Sequence, residues 1–177
     1  MLKPLSSIYQ PDERFRHLSF HDQAAGHIRP ICAVDLHNEV SPIELNSAVP
    51  PEVRYQFDVV RNAYLYSWFV YDLVILAEQH SYIVLEMALR HRAKLEGLMK
   101  NATLKPYLQL AIKRGWLRRE DLDIPGAPGS RPMSFSNELP KLRNRLLHGS
   151  VHLSPEFSLM VMRKCAELLN KLYPAEL

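Results

Sequence analysis

The stretch LRNRLLHGS, residues 142–150, sets an arginine, an asparagine, three further residues, a histidine and a glycine in a row. Arginine and histidine together can process an RNA phosphodiester without a metal. Imidazole titrates near neutrality, so it can take the proton of a ribose 2′-hydroxyl or return one to the leaving 5′-oxygen. A guanidinium grips the non-bridging phosphate oxygens as negative charge builds, and its planar fork does so better than an ammonium. Arg143 and His148 are the residues that would do this here, with Asn144 and Arg145 beside them.

Helical geometry distributes these side chains. At about 100° per residue, Asn144 and His148 project on one side, whereas Arg143 and His148 diverge by roughly 140°. Arg143 must then reach around, or serve a histidine from another chain. Asn144 is placed to bond His148 or a phosphate, Arg145 lies near the same rim, and Leu139, Leu142 and Leu146 form a separate, core-facing stripe. Spacing alone carries little weight, because Arg14 and Arg16 stand in the same relation to His21, where nothing else suggests a site. A structural reading of His148 also stands, as an imidazolium at a helix C-terminus bonding a free carbonyl. Zinc held by His148 and His152 is disfavoured, since Gly149 and Pro155 interrupt any continuous helix and no third ligand is spaced nearby.

The motif needs a helix to carry it. Ser136 or Asn137 can cap one whose first turn holds Glu138 and Pro140, and Gly149 suits its C-terminus. Ser154, Pro155 and Glu156 then announce a final helix with Phe157, Val161, Leu168 and Leu172 on its buried face, ended by Pro174. Upstream, residues 52–96 contain neither proline nor glycine and repeat apolar residues at helical spacing. That length predicts two helices or a marked bend, within 64–68 or near His80. Thr103 offers an N-cap for a short helix closed by Gly115, and the Pro/Gly-rich stretch 119–134 excludes regular structure. Five prolines break up residues 1–50 and a sixth follows at Pro51; the segment reads as an irregular arm with one short extended piece at ICAVDL, 31–36. The expected architecture is therefore all-α, a bundle of four to five helices over residues 51–177 behind an irregular N-terminal arm over 1–50.

Composition narrows the class. The chain has 177 residues, enough for one core without metal or disulfide staples. Its longest apolar run, 65–77, is shorter than the roughly 20 residues of a membrane span and is interrupted by Asp72. The first residues lack the pattern of a secretory signal, and the two cysteines, Cys32 and Cys165, stand in no metal-like spacing. A cytoplasmic protein off the membrane is expected, with both thiols as small buried side chains. The net charge of +3 conceals an asymmetry: residues 1–89 carry 6 Lys/Arg against 11 Asp/Glu, residues 90–177 carry 16 against 8. A basic half of this kind suits a nucleic-acid partner, and also suits halves that pack on each other or solvated helix faces. The aromatic run YLYSWFVY, 64–71, suits core and a dimer seam better than base stacking, and Trp116 beside Arg118 and Arg119 is a weaker stacking candidate.

Arg143 followed by Asn144, then His148 and Gly149, at the end of a penultimate helix in an all-helical chain, resembles the HEPN superfamily and its R-x4-6-H motif. The block YDLVILAEQHSYIVLEMALRHRAK, 71–94, is similar to the central helices of many HEPN proteins, which often carry an acidic residue such as Glu86 opposite the motif. The resemblance covers about residues 52–172 and leaves the arm without a counterpart. It implies a helical bundle that pairs with a second copy so that two motifs face one cleft. It also implies a metal-independent endoribonuclease without cofactor, of toxin–antitoxin or phage-defence type, with RNA as substrate and in some systems a separate antitoxin protein. Carried onto this chain, Arg143 stabilises the phosphate, Asn144 orients, His148 is the acid/base, and Arg145 and Glu86 support them. For Glu86 the role is an ion pair that orders Arg143 rather than catalysis. The implied products are a 2′,3′-cyclic phosphate and a 5′-hydroxyl. The alternative is a non-catalytic HEPN module that binds RNA, a nucleotide or a protein partner; intact Arg143, Asn144 and His148 favour catalysis.

Overall fold

In the computed structural model the described residues are 2–22, 26–98, 102–124, 133–134 and 154–175. They form α1 (Ala33–Val40), α2 (Pro51–Tyr66), α3 (Leu73–Leu95), α4 (Leu104–Lys113) and α5 (Pro155–Leu172). The protein is a mostly helical bundle, as its apolar periodicity indicates. Helix α3 is central and packs against α2, α4 and α5. Its buried face, including Val84, Leu85, Ala88 and Leu89, meets Val161, Met162, Cys165, Leu168 and Leu169 of α5 in one continuous core.

The long proline-free block divides at residues 67–72, overlapping the first of the two expected positions, whereas His80 lies inside α3. The N-terminal arm stabilises this break. Asp12 donates its amide to the Trp68 carbonyl at 2.8 Å and accepts the Tyr71 amide on its carboxylate at 3.0 Å. Those groups lose helical partners where the chain turns, and buried backbone polar groups need replacements. Phe15, 1% exposed, fills the space beneath, with ring centroids 5.3 Å from Trp68 and 5.1 Å from Tyr71. Arg14 bridges Asp12 and Asp72 and lies over the Tyr71 ring.

Of residues 31–36 only the start is extended, at Cys32, and 33–36 are helical. A helix begins at Ala33 because Asp35, three positions after Cys32, accepts the Cys32 amide at 2.8 Å and closes a capping box. Asp35 is also gripped at 2.7 and 2.6 Å by both terminal nitrogens of Arg29, and these bonds hold its carboxyl at about 2. Arg29 lies on the second strand of a hairpin, β1 (Ser19–Asp22) with β2 (His27–Pro30), so residues 1–50 hold more regular structure than their proline content suggests. Cys165 is buried, but Cys32 is only partly so.

Two smaller corrections concern 119–134. Residues 119–122 form a single 3-10 turn, and β3 (Asp123–Ile124) pairs with β4 (Met133–Ser134). Asp121, 5% exposed, anchors that turn: burial opposes its charge, but Lys171 at 2.7 Å and the Arg118 amide at 2.7 Å outweigh it and hold the carboxyl at about 2. Thr103 precedes α4 without capping it through its side chain, whereas the Ser154 hydroxyl accepts the Phe157 amide at 3.3 Å, as the Ser-Pro-Glu start signal anticipates.

Candidate functional site

Arg143, Asn144, Arg145 and His148, with the helix expected to carry them, lie outside the described residues. What the structure shows is the framework on either side: α3, which bears Glu86, and α5, whose cap Ser154 follows His148 by six residues. Glu86 is bonded by Arg90 one turn later on α3, at 3.0 Å. Within the described residues its partner is thus a neighbour on its own helix.

Below the first turn of α5 a carboxyl is sealed in the core. Glu78 on α3 is fully buried, accepting the Tyr82 hydroxyl at 2.9 Å and the Ser158 hydroxyl at 3.1 Å. Among the described residues no Lys or Arg is bonded to it, and burial pushes its pKa up despite the two hydroxyls. The composition of α3 gives no sign of this, because an apolar helix with one acid every two turns reads equally well with the acid outside.

At the other end of α3, Tyr173 and His91 fix each other. The Tyr173 hydroxyl lies 2.9 Å from the Ala88 carbonyl and 2.9 Å from His91 Nδ1. A carbonyl only accepts, so the phenolic proton goes to Ala88, and Nδ1 must then be the donor to the phenol oxygen. The neutral imidazole therefore keeps its lone pair on Nε2. Burial raises the Tyr173 phenol to about 12, so it stays protonated in this role.

One residue further along, Arg92 lies over the indole of Trp116, 5.8 Å from the ring centroid. The Trp116 Nε1–H donates to Glu96 at 2.8 Å, and Arg114 approaches the other oxygen of the same carboxylate at 3.8 Å. Trp116 therefore has partners for its N–H and for its ring. The sequence marks Trp116 but not Arg92, Glu96 or Arg114, which come together only because α3 and α4 end side by side.

A third polar region lies between α1 and α2. Grooves of about 160 and 190 Å3 flank Arg61. Its guanidinium donates to the carbonyls of Val40 and Ser41 at the end of α1 and to Asp58, which makes it a helix cap rather than a free anion site. Nearby, buried Tyr64 donates to half-buried Glu39 at 3.1 Å, and burial raises the carboxyl. Among the described residues no three His, Cys, Asp or Glu side chains are grouped to hold a metal, and no helix is long and apolar enough to cross a membrane.

The fold so defined is an all-α bundle, and its kinship is not resolved further: no protein-family profile, curated protein or solved structure compared with the chain matches it.

Proposed function

We propose that this protein is a metal-independent endoribonuclease of toxin or phage-defence type, cutting RNA by attack of the 2′-hydroxyl at a composite site shared by two copies of the chain. The observation that carries the reading is Arg143-Asn144-x3-His148-Gly149 in an all-helical chain whose following helix starts cleanly at a Ser154 cap. In this reading His148 moves the proton, Arg143 neutralises the phosphate and Asn144 orients them, with Arg145 at the rim.

The second copy has a surface to meet. Tyr55, Val59 and Tyr66 on α2 and Leu76 and Ile83 on α3 are all exposed. They lie to either side of the seam that Gln56 Oε1 and His80 Nε2 bridge at 2.8 Å. Helical spacing puts Ala63, Leu73 and Met87 on the same outer face, which Glu52, three before Tyr55, and Arg90, three after Met87, bound at one end. An uncharged, aromatic-rich strip along two helices has the makeup of an interface core.

Expression of the wild-type chain in a bacterial host is expected to arrest growth, and His148→Ala to relieve the arrest. A harmless wild type that leaves RNA intact after purification without any partner protein contradicts the catalytic reading and leaves a binding module. In a toxin pair, a separately encoded antitoxin restores growth without altering His148.

A further inference from the structure

The structure assigns a second RNA contact to the end of the molecule where α3 and α4 stop: we propose that Arg92 and Arg114, held about Glu96 and Trp116, form a clamp for the phosphates of a single RNA strand. It rests on the ribonuclease reading only for the choice of RNA as the polymer.

Arginines at a helix C-terminus ordinarily bond the last carbonyls, where the helix dipole favours them. Here the backbone has already closed both ends. Gly97 and Gly115 adopt the left-handed conformation, φ 70° and 71°. The chain then folds back so that Leu98 donates to Ala93 at 2.8 Å and Trp116 donates to Ala111 at 2.9 Å. Neither guanidinium is needed for capping.

Nor are they consumed by the acid between them. Arg92 Nε is 3.9 Å and Arg114 Nε 3.8 Å from Glu96, beyond hydrogen-bond reach. Among the described residues the Glu96 carboxylate accepts one short hydrogen bond, from the indole N–H. Arg92 Nε is buried without a hydrogen-bond partner, and no hydrogen bond from either guanidinium joins it to a described residue. Yet the side chains are 35% and 44% exposed, so neither is sealed from solvent.

Shared approach to one carboxylate keeps the two Nε atoms within about 10 Å of each other, close enough for one phosphate or two successive ones. The indole holds the Arg92 plane in place, which reduces the entropy lost when the fork engages an anion. Exposed Lys94 and Lys113 stand beside them in the chain and form no ion pair among the described residues, which leaves the local balance basic. A polyanion supplies what this geometry lacks, and a single strand is also the form in which a 2′-hydroxyl can align for attack.

The test is fluorescence anisotropy of the full chain with a labelled 2′-O-methyl oligouridylate of about 12 nucleotides, titrated over a range of salt. The capped 2′-oxygen blocks cleavage, so binding is read whether or not the protein is a nuclease. Replacing both arginines, Arg92→Gln with Arg114→Gln, is expected to weaken binding at least about tenfold and to reduce the slope of log K against log salt by about 1.4, for two phosphates. The double lysine variant keeps most of the slope but not the affinity. Arg114→Gln alone, at a half-exposed position, carries the test if the double variant melts early. Unchanged affinity and slope in a folded Gln variant overturn the clamp. Equal displacement of the probe by a free mononucleotide overturns the strand assignment.

Discussion

Tyr173 and His91 are locked by one proton: the phenol gives it to the Ala88 carbonyl, so His91 Nδ1 must donate to the phenol oxygen. Tyr173 is the residue after α5 and His91 lies near the end of α3, so this bond ties the last helix to the central one. Tyr173→Phe is expected to cost about 1 kcal/mol in urea unfolding. It should also convert the single Nδ1–H tautomer of His91, read by nitrogen NMR, into a mixture. An unaltered tautomer in the variant contradicts this account of the pair.

Glu78 makes stability depend on pH in the opposite sense to the ion-paired acids. Burial raises its folded pKa above the unfolded value, so between the two values the folded state holds the extra proton. Its contribution is full below the ordinary carboxylate range and is lost as pH rises through the raised folded value. Glu78→Gln, which keeps the shape and removes the charge, is expected to be close to wild type near pH 4 and progressively more stable than it towards pH 8. Parallel denaturation curves for the two proteins across that range would show that Glu78 ionises in place without penalty.

Phe15 is the arm's anchor in the bundle, enclosed by Trp68 and Tyr71. Phe15→Ala is expected to cost about 3–5 kcal/mol in chemical denaturation, as for other large buried aromatics. Amide exchange should quicken first in residues 67–72, whose backbone the arm bonds. A loss under about 1 kcal/mol would mean that the arm rests on the bundle without supporting it.

How much of this was legible in the sequence depends on range. The α5 start at Ser154 and the helical character of 52–96 follow from residues within a few positions of each other, and the structure has both. The division of that block at 67–72 overlaps the expected 64–68, but the contacts that support it come from Asp12 and Phe15, more than fifty residues upstream, and periodicity cannot sense such partners. ICAVDL reads as a strand by its β-branched and apolar residues, but Asp35 accepting the Cys32 amide and gripping Arg29 decides for helix. Trp116 stands out by residue type, whereas Arg92 and Arg114 acquire meaning only when the two helix ends meet. Arg143, Asn144 and His148 are legible as a motif and lie outside the described residues, so their assignment stays with the sequence.

The uncharged face of α2 and α3 predicts the oligomeric state. The wild-type chain is expected to sediment as a dimer of its 20.5 kDa mass, and Val59→Glu or Ile83→Glu to sediment as a monomer with an unchanged circular dichroism spectrum. Tyr9→Glu, an exposed aromatic on the arm, should remain dimeric. A wild type that is monomeric at high concentration, or dimers indifferent to both α2–α3 substitutions, would remove this face as the meeting surface.

Analysis of the RNA ends made by the purified protein in EDTA tests the central claim most directly. Wild type is expected to leave 2′,3′-cyclic phosphate and 5′-hydroxyl termini, with His148→Ala and Arg143→Ala each slower by about a hundredfold or more. Cleavage that stops in EDTA, or that proceeds undiminished without the His148 imidazole, would contradict it.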